Sequence, residues 1–470
     1  MTQAATAAPA DIPLTALPRE RERLLLWLLA LTQFTIIMDF MIMMPLGPQI
    51  MRAFSIGPSA FATAVSAYAW CAGLSGLFAA TYIDRFDRKQ LLLAVYVLFA
   101  LSNLACAVAP SFLLLQAARA FAGLTAGVLG SIVMAVLSDV IPQSRRGAAT
   151  GIVMTSFSLA AVFGVPVGIA LGANFGWEWP FCLLAALSAL IWIAAERVVP
   201  TLTGHLRMHP SSLMKVLPDL LALVLHPPYV RAFLLTGIVT AASMVVIPFM
   251  SPVLVANHGI KPAELSWIYM VGGVATFFTA RIIGRLCDRF GAVRVFRAIA
   301  LFSILPLMFV THLPALSLLA MIALFPLLMI SMSGRFIPLQ ALMTTVAKPA
   351  ERGAFLSVSS AVQSLGTGLG AWLGGTMLRS GPGGEILGYQ IDGWIAAAIT
   401  LIAVLWIGRV GRAAAPSSRI DDRRSQKAAP ASDLQSAQRD GDSDEGRHRQ
   451  RKQEKIDDRY RRAPHEATEP

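Results

Sequence analysis

Ala80-Thr81-Tyr82-Ile83-Asp84-Arg85-Phe86-Asp87-Arg88-Lys89 closes one long apolar run. Gly284-Arg285-Leu286-Cys287-Asp288-Arg289-Phe290-Gly291-Ala292-Val293-Arg294 closes another. Each joins an acid, a base, a tight turn and further bases, and the two aspartates stand 204 residues apart. One such segment is compatible with any solvated helix end. Two at a fixed offset imply a duplicated membrane protein with equivalent hinges on one face, an architecture that membrane carriers use.

Other markers keep nearly the same offset. Arg146-Gly147 and Arg352-Gly353, each opening a new apolar run, differ by 206, and Pro45 and Pro248 differ by 203. Composition agrees: 56% of the 470 residues are hydrophobic, 14% are charged and the mean hydropathy is +0.62. Too much apolar surface is present for a water-soluble fold, so lipid is the solvent for most of the chain. The net charge of +12 could point to nucleic acid, but only an excess of two bases lies from Arg412 onward. The rest sits between apolar runs, where it sets membrane orientation, and no nucleic-acid partner is expected. Cys71, Cys106, Cys182 and Cys287 lie in or beside apolar runs without CxxC spacing and read as small buried hydrophobes, with neither a metal nor a disulfide expected. Residues 1–23 lack the basic, apolar and cleavage pattern of a signal peptide and are expected as a cytoplasmic N-terminal segment.

Twelve apolar stretches are long enough to cross a bilayer: 24–48, 60–83, 90–109, 112–137, 147–172, 179–198, 230–255, 264–286, 295–311, 314–341, 353–378 and 389–410. The predicted fold class is therefore all-α, two pseudo-symmetric six-helix bundles at 24–198 and 230–411. A central cytoplasmic loop, 199–229, joins them, with an amphipathic stretch at Leu213–Leu225, and a disordered tail follows from 412 to 470. Alternate connections carry most of the bases: Arg19, Arg21 and Arg23; Arg85, Arg88 and Lys89; Arg145 and Arg146; Arg197, Arg207 and Lys215; Arg285, Arg289, Arg294 and Arg297; Lys348 and Arg352. The intervening set has only Arg52, Lys261 and Arg379. The positive-inside bias then places both termini in the cytoplasm of a multi-pass protein of the cell (inner) membrane.

Charges inside the spans are the candidate site. A charge in hydrocarbon costs at least about 2.5 kcal/mol, so it normally meets a partner or a wet cavity. Asp39 lies roughly 13 Å below the outer end of span one, and Arg119 roughly 12 Å below the outer end of span four, at 1.5 Å per residue. Equal depth permits a salt bridge in the N-terminal half. Such a carboxylate can exchange its basic partner for a proton, or stay permanently paired as a structural ion pair. Arg335, with Gln340 one turn on, can face the C-terminal cavity or reach the interface. At the hinges, Asp84 is expected to face the positive N-terminus of span eleven at Gly353, and Asp288 that of span five at Gly147. Both contacts would hold the cytoplasmic face shut. Gly164, Pro166 and Gly168 on one helix suit a kinked, closely packed seam between the bundles. The Phe40–Met44 run offers either a soft wall for apolar ligands or a packing stripe.

The chain resembles the major facilitator superfamily over roughly residues 20–412. The hinge follows that family's G-x-x-x-D-R-x-G-R-K loop at Asp84, Arg85, Arg88 and Lys89, with Ala80 and Asp87 where glycines are usual. The second copy keeps Gly284, Asp288, Arg289 and Gly291. Arg119 and Gly123 fit its R-x-x-x-G pattern in span four. Gly164-Val165-Pro166-Val167-Gly168, with Gly176-Trp177-Glu178-Trp179-Pro180-Phe181, looks like the antiporter motif of twelve-helix drug/proton antiporters and the neighbouring sugar (arabinose-like) efflux proteins. Gly334-Arg335-Phe336-Ile337-Pro338-Leu339-Gln340-Ala341 is similar to the same efflux group. The resemblance implies a secondary transporter, a monomer using protons and no cofactor, that exports a small-molecule substrate by alternating access. Drug-like amphipaths are favoured over sugars by the few polar side chains in the spans. A membrane enzyme or a sensor fits less well. The histidines His205, His209, His226, His258 and His312 make no catalytic spacing, no Walker sequence is present, and the tail carries no soluble output domain.

Overall fold

In lipid an isolated segment can satisfy its backbone only as a helix, and the apolar runs fold accordingly. The structure, a computed structural model, describes residues 18–142, 145–202, 221–312, 318–348 and 351–428. The N-terminal half comprises α1 (Arg19–Ile42), α2 (Gly47–Ala53), α3 (Pro58–Tyr82), α4 (Arg88–Ala107), α5 (Phe112–Val140), α6 (Arg146–Leu159), α7 (Val165–Phe175) and α8 (Trp179–Val198). The C-terminal half comprises α9 (Pro227–Met244), α10 (Ile247–His258), α11 (Pro262–Phe290), α12 (Ala292–His312), α13 (Leu318–Gly334), α14 (Phe336–Val346), α15 (Arg352–Met377) and α16 (Tyr389–Ala428). Between the last two lies a two-residue antiparallel ribbon, β1 (Arg379–Ser380) with β2 (Ile386–Leu387), a small departure from an all-α chain.

Eleven of the twelve spans are apolar enough to cross a membrane by composition. The remaining one, α15, is 26 residues long but rich in Gly, Ser and Thr. It is shielded between α3 and α9, where small residues let backbones approach. Ser66 Oγ donates to the Gly368 carbonyl at 2.9 Å across that contact.

Four spans are discontinuous, each beside a proline that removes a backbone donor. Span one breaks at 43–46 around Pro45, and span seven at Val245-Val246 ahead of Pro248. Span ten breaks at Arg335, three residues before Pro338, and span five passes through a π turn, Ala160–Gly164, directly before Pro166.

Several expected boundaries move. Span one begins at Arg19, and span seven at Pro227, because Pro227 and Pro228 occupy the first helical positions, where a missing N–H is harmless. The last helix runs beyond 412 to Ala428, into the segment expected as a disordered tail. Residues 414–428 belong to a unit separate from the rest. The rest of the tail and Leu213–Leu220 of the loop stretch lie outside the described residues.

The halves meet along two seams. α3 packs on α15, and α11 packs on α7 and the π turn rather than on α6. At the end opposite Asp84 the contact is close: Pro252 of α10 lies against Gly47 and Phe61, and Ala62 against Gly375. At the Asp84 end the halves splay apart, and a Cβ added at Gly147, Gly284, Gly291 or Gly353 would meet nothing within 4 Å.

Candidate functional site

The sharpest feature is a buried ion pair. Arg119 Nη1 donates to Asp39 Oδ1 at 2.5 Å, and Nη2 donates to the Asp39 carbonyl at 3.2 Å. The side chains are 1% and 0% exposed. Tyr68 of α3 lies beneath the guanidinium, 4.3 Å from ring centroid to Cζ, with the ring of Phe181 at 5.8 Å. Such contacts supply a cation with face density where water is absent. Gly123, one turn beyond Arg119, explains the placement of Tyr68: a Cβ there would sit 2.9 Å from Tyr68 Cα, so only glycine lets α5 and α3 close up. The far carboxylate oxygen of Asp39, the Tyr68 hydroxyl and Arg119 Nε are all buried, and the Tyr68 hydroxyl lies within interacting range of Asp39. The pair thus sits inside the N-terminal half.

Gly164 and Gly168 lie against α1, next to Met38 and Ile42. They are therefore packed within the N-terminal half, and do not themselves form the seam expected between bundles. Pro166 is buried in the same helix. The seam is made one face over, where Gly273 of α11 sits against the Ala161 carbonyl, 2.6 Å from where its Cβ would stand. The reason is the π turn, whose extra residue turns adjacent side chains onto different faces. One turn of helix consequently touches both the Asp39 segment of α1 and the opposite half.

Arg335 and Gln340 are not brought together. Gln340 is exposed, whereas Arg335 is 1% exposed and points into its own bundle. There Arg335 donates to Ser243 Oγ at 2.5 Å, to Thr400 Oγ1 at 3.1 Å and to Met332 Sδ at 3.1 Å. Among the described residues it has no acidic partner. One of its partners, Ser243, stands 204 residues after Asp39. The C-terminal half carries serine at the position matching Asp39, whereas Arg335 stands 216 residues after Arg119 and so lies off the position matching that cation. Offset arithmetic alone would have found Ser243.

At the splayed end the expected contacts across the halves are not made. Asp84 is 70% exposed and accepts from Arg88, while Gly353 is uncovered. Asp288 and Arg289 are exposed, with Arg289 over the Phe290 ring, and Gly147 is likewise uncovered. Arg85 is exposed. Arg88 is instead the buried centre of the hinge, bonding Asp84 at 2.5 Å and Asp139 of α5 at 3.1 Å. Asp87, in place of the usual glycine, caps α4 by accepting from the Lys89 N–H at 2.8 Å. Its φ of −57° needs no glycine, whereas Gly291 in the second copy ends α11 at φ +84°.

In the Phe40–Met44 run Ile42, Met43 and Met44 are buried in the packed core, while Phe40 and Met41 are half-buried against it. Sequence reading also passed over Asp392, three residues into α16 and 0% exposed. Its position at the edge of an apolar run resembled an ordinary interfacial acid.

Comparison with known proteins agrees with this architecture. The family model "Major Facilitator Superfamily" matches residues 29–249 and 232–442. The "Uncharacterized MFS-type transporter YtbD" of Bacillus subtilis is 27% identical over 388 residues, 81% of this chain and 93% of the relative. A "Probable sugar efflux transporter" of Mannheimia succiniciproducens is 24% identical over 355 residues, 73% and 82% of the two chains. Among solved structures, a bacterial homologue of the human lysosomal transporter Spinster superposes with a TM-score of 0.69 at 16% identity, covering 84% of this chain and 98% of that one. The xylose transporter XylE from E. coli gives 0.60 at 16% identity, covering 80% and 94%. The duplicated six-helix halves, the hinge motifs and these matches together make the chain a multi-pass membrane transporter belonging to the Major Facilitator Superfamily.

Proposed function

We propose that the chain exports a small solute in exchange for protons by alternating access, with Asp39 as the proton-carrying group and Arg119 as its exchange partner. One observation carries this reading. The α1 turn bearing Asp39 packs on Gly164 of the π turn, and that same turn abuts α11 of the other half. A carboxylate that accepts a proton loosens its hold on Arg119, and the shift of α1 is delivered directly to the seam that must rock. The splayed Asp84 end is the cytoplasmic one in this reading, with both termini on that side. Asp84 and Asp288 then engage the helix starts at Gly353 and Gly147 only in the alternate state.

For the substrate, a sugar-sized polar solute has the better support. Four relatives carry the name "Probable sugar efflux transporter", and Ile42, Met43 and Met44 of the run that offered an apolar wall are buried in the core. Uptake into inverted vesicles across a panel of sugars and lipophilic cations, with and without a proton gradient, tests the reading. Gradient-stimulated sugar accumulation that Asp39→Asn abolishes is the expected result. Gradient-independent uptake, or wild-type rates in Asp39→Asn, overturns it.

A further inference from the structure

Asp392 is a second buried acid that the Asp39–Arg119 pair leaves without a role. Its side chain is 0% exposed, and neither carboxylate oxygen has a hydrogen-bond partner among the described residues. No ion pair reaches it from those residues either. An ionised carboxylate without cation or donor is the least stable form in a low-dielectric interior, and the neutral acid is the form burial favours. The first-turn position on α16 offers a partial positive charge, which is weak beside the loss of hydration.

The surroundings tie this acid to the closed gate. Tyr389, one turn earlier on α16, lies within electrostatic range of both Asp392 and Tyr269 of α11. The Tyr389 hydroxyl donates to the Val246 carbonyl at 3.3 Å, in the break between α9 and α10. Tyr269 and Ser251 of α10 share a hydrogen bond of 2.8 Å. α10 in turn packs on α2 of the other half, where Pro252 meets Gly47. On the remaining side, α12 presents Thr311 to Gly393, and His312 turns its ring onto Trp394. Among the described residues, the titratable groups these contacts place near Asp392 are two phenols and His312, whose Nδ1 is engaged by Thr311 and the Met308 carbonyl.

We propose that Asp392 is a second proton-binding site, in the C-terminal half, which holds its proton while the α2/α10 gate is shut and exchanges it with the outside when that gate opens. The proposal rests on the transport reading only for the opening of the gate; the proton on Asp392 does not depend on Asp39. The carboxyl releases its proton to water and becomes carboxylate, so the step needs no further reactant.

The test uses the full chain, purified and reconstituted in lipid, with infrared spectra in the carboxyl C=O stretching region at neutral pH and in D2O. Wild type and Asp39→Asn should both show a protonated-carboxyl band, and Asp39→Asn combined with Asp392→Asn, in which neither acid can contribute, should lose it. Asp392→Glu should retain a band at a shifted frequency, which supplies the assignment if the double variant does not fold. Gly57→Cys with Ser380→Cys spans the closed end, where a Cβ on Gly57 would stand 3.7 Å from Ser380 Oγ. Oxidising that pair should slow deuterium exchange of the band at least about tenfold, and reduction should restore it. A band that survives in the double variant, or an exchange rate indifferent to the lock, overturns the proposal. Retention of the band with no proton-driven transport would leave Asp392 standing and count against Asp39 alone.

Discussion

At the scale of single residues, the Asp39–Arg119 pair decides most. Both groups are out of water, so deleting one leaves the other uncompensated. Arg119→Ala should therefore lose about 3–5 kcal/mol of stability, and Arg119→Lys less, because lysine keeps the charge but not the second bond to the Asp39 carbonyl. Thermal melts of the reconstituted variants measure this. Asp39→Asn combined with Arg119→Gln should lie closer to wild type than the sum of the singles, since the pair is in direct contact. Additive losses would contradict the geometry. In the C-terminal half the same logic runs with serine: Ser243→Asp should neutralise Arg335 and raise stability, a gain visible as a higher melting temperature. Asp392 shows how magnitude settles a competition. A helix N-terminus returns about 0.3–1 kcal/mol to a carboxylate, against an effective penalty of several kcal/mol for an unpaired buried ion.

At the scale of elements, prolines and glycines do what charges do at the scale of residues. Pro166 and the π turn before it let one helix serve two neighbours, α1 on one face and α11 on the other. Pro166→Ala permits a regular helix, which would rotate Ala161 away from Gly273, and should reduce transport while membrane insertion persists. Gly273→Leu attacks the same contact from the other side, since any side chain there meets the Ala161 carbonyl. Wild-type transport by both variants would remove the seam from the mechanism. The hinge offers a smaller effect. Asp87→Ala takes the cap from α4 and should cost about 0.5–2 kcal/mol, whereas Asp87→Gly should cost only a few tenths. Melts of the two variants separate capping from backbone freedom.

At the scale of the molecule, the halves close at one end and splay at the other, and turnover requires that this reverse. The Gly57→Cys, Ser380→Cys lock should halt transport on oxidation and release it on reduction; unchanged transport in the oxidised protein would exclude the alternation. Orientation is tested separately. Ser55→Cys and Ala256→Cys, both exposed at the closed end, should label with an impermeant reagent from outside intact cells, and labelling only after disruption would invert the topology. The sequence by itself determined the twelve spans, the duplication and the family. These depend on local hydropathy and on repeated motifs, and each survives a change of packing. The depth match of Asp39 and Arg119 was also legible, because helical rise is fixed and both residues lie on continuous helices. Only the tertiary structure decided that Gly164 and Gly168 face α1, that Arg335 turns inward to Ser243, and that Asp392 is sealed without a partner. Each of these turns on which way a side chain points after a proline break or at a helix end. There a few tens of degrees of helix rotation, set by neighbours far away in the chain, separate lipid, cavity and core.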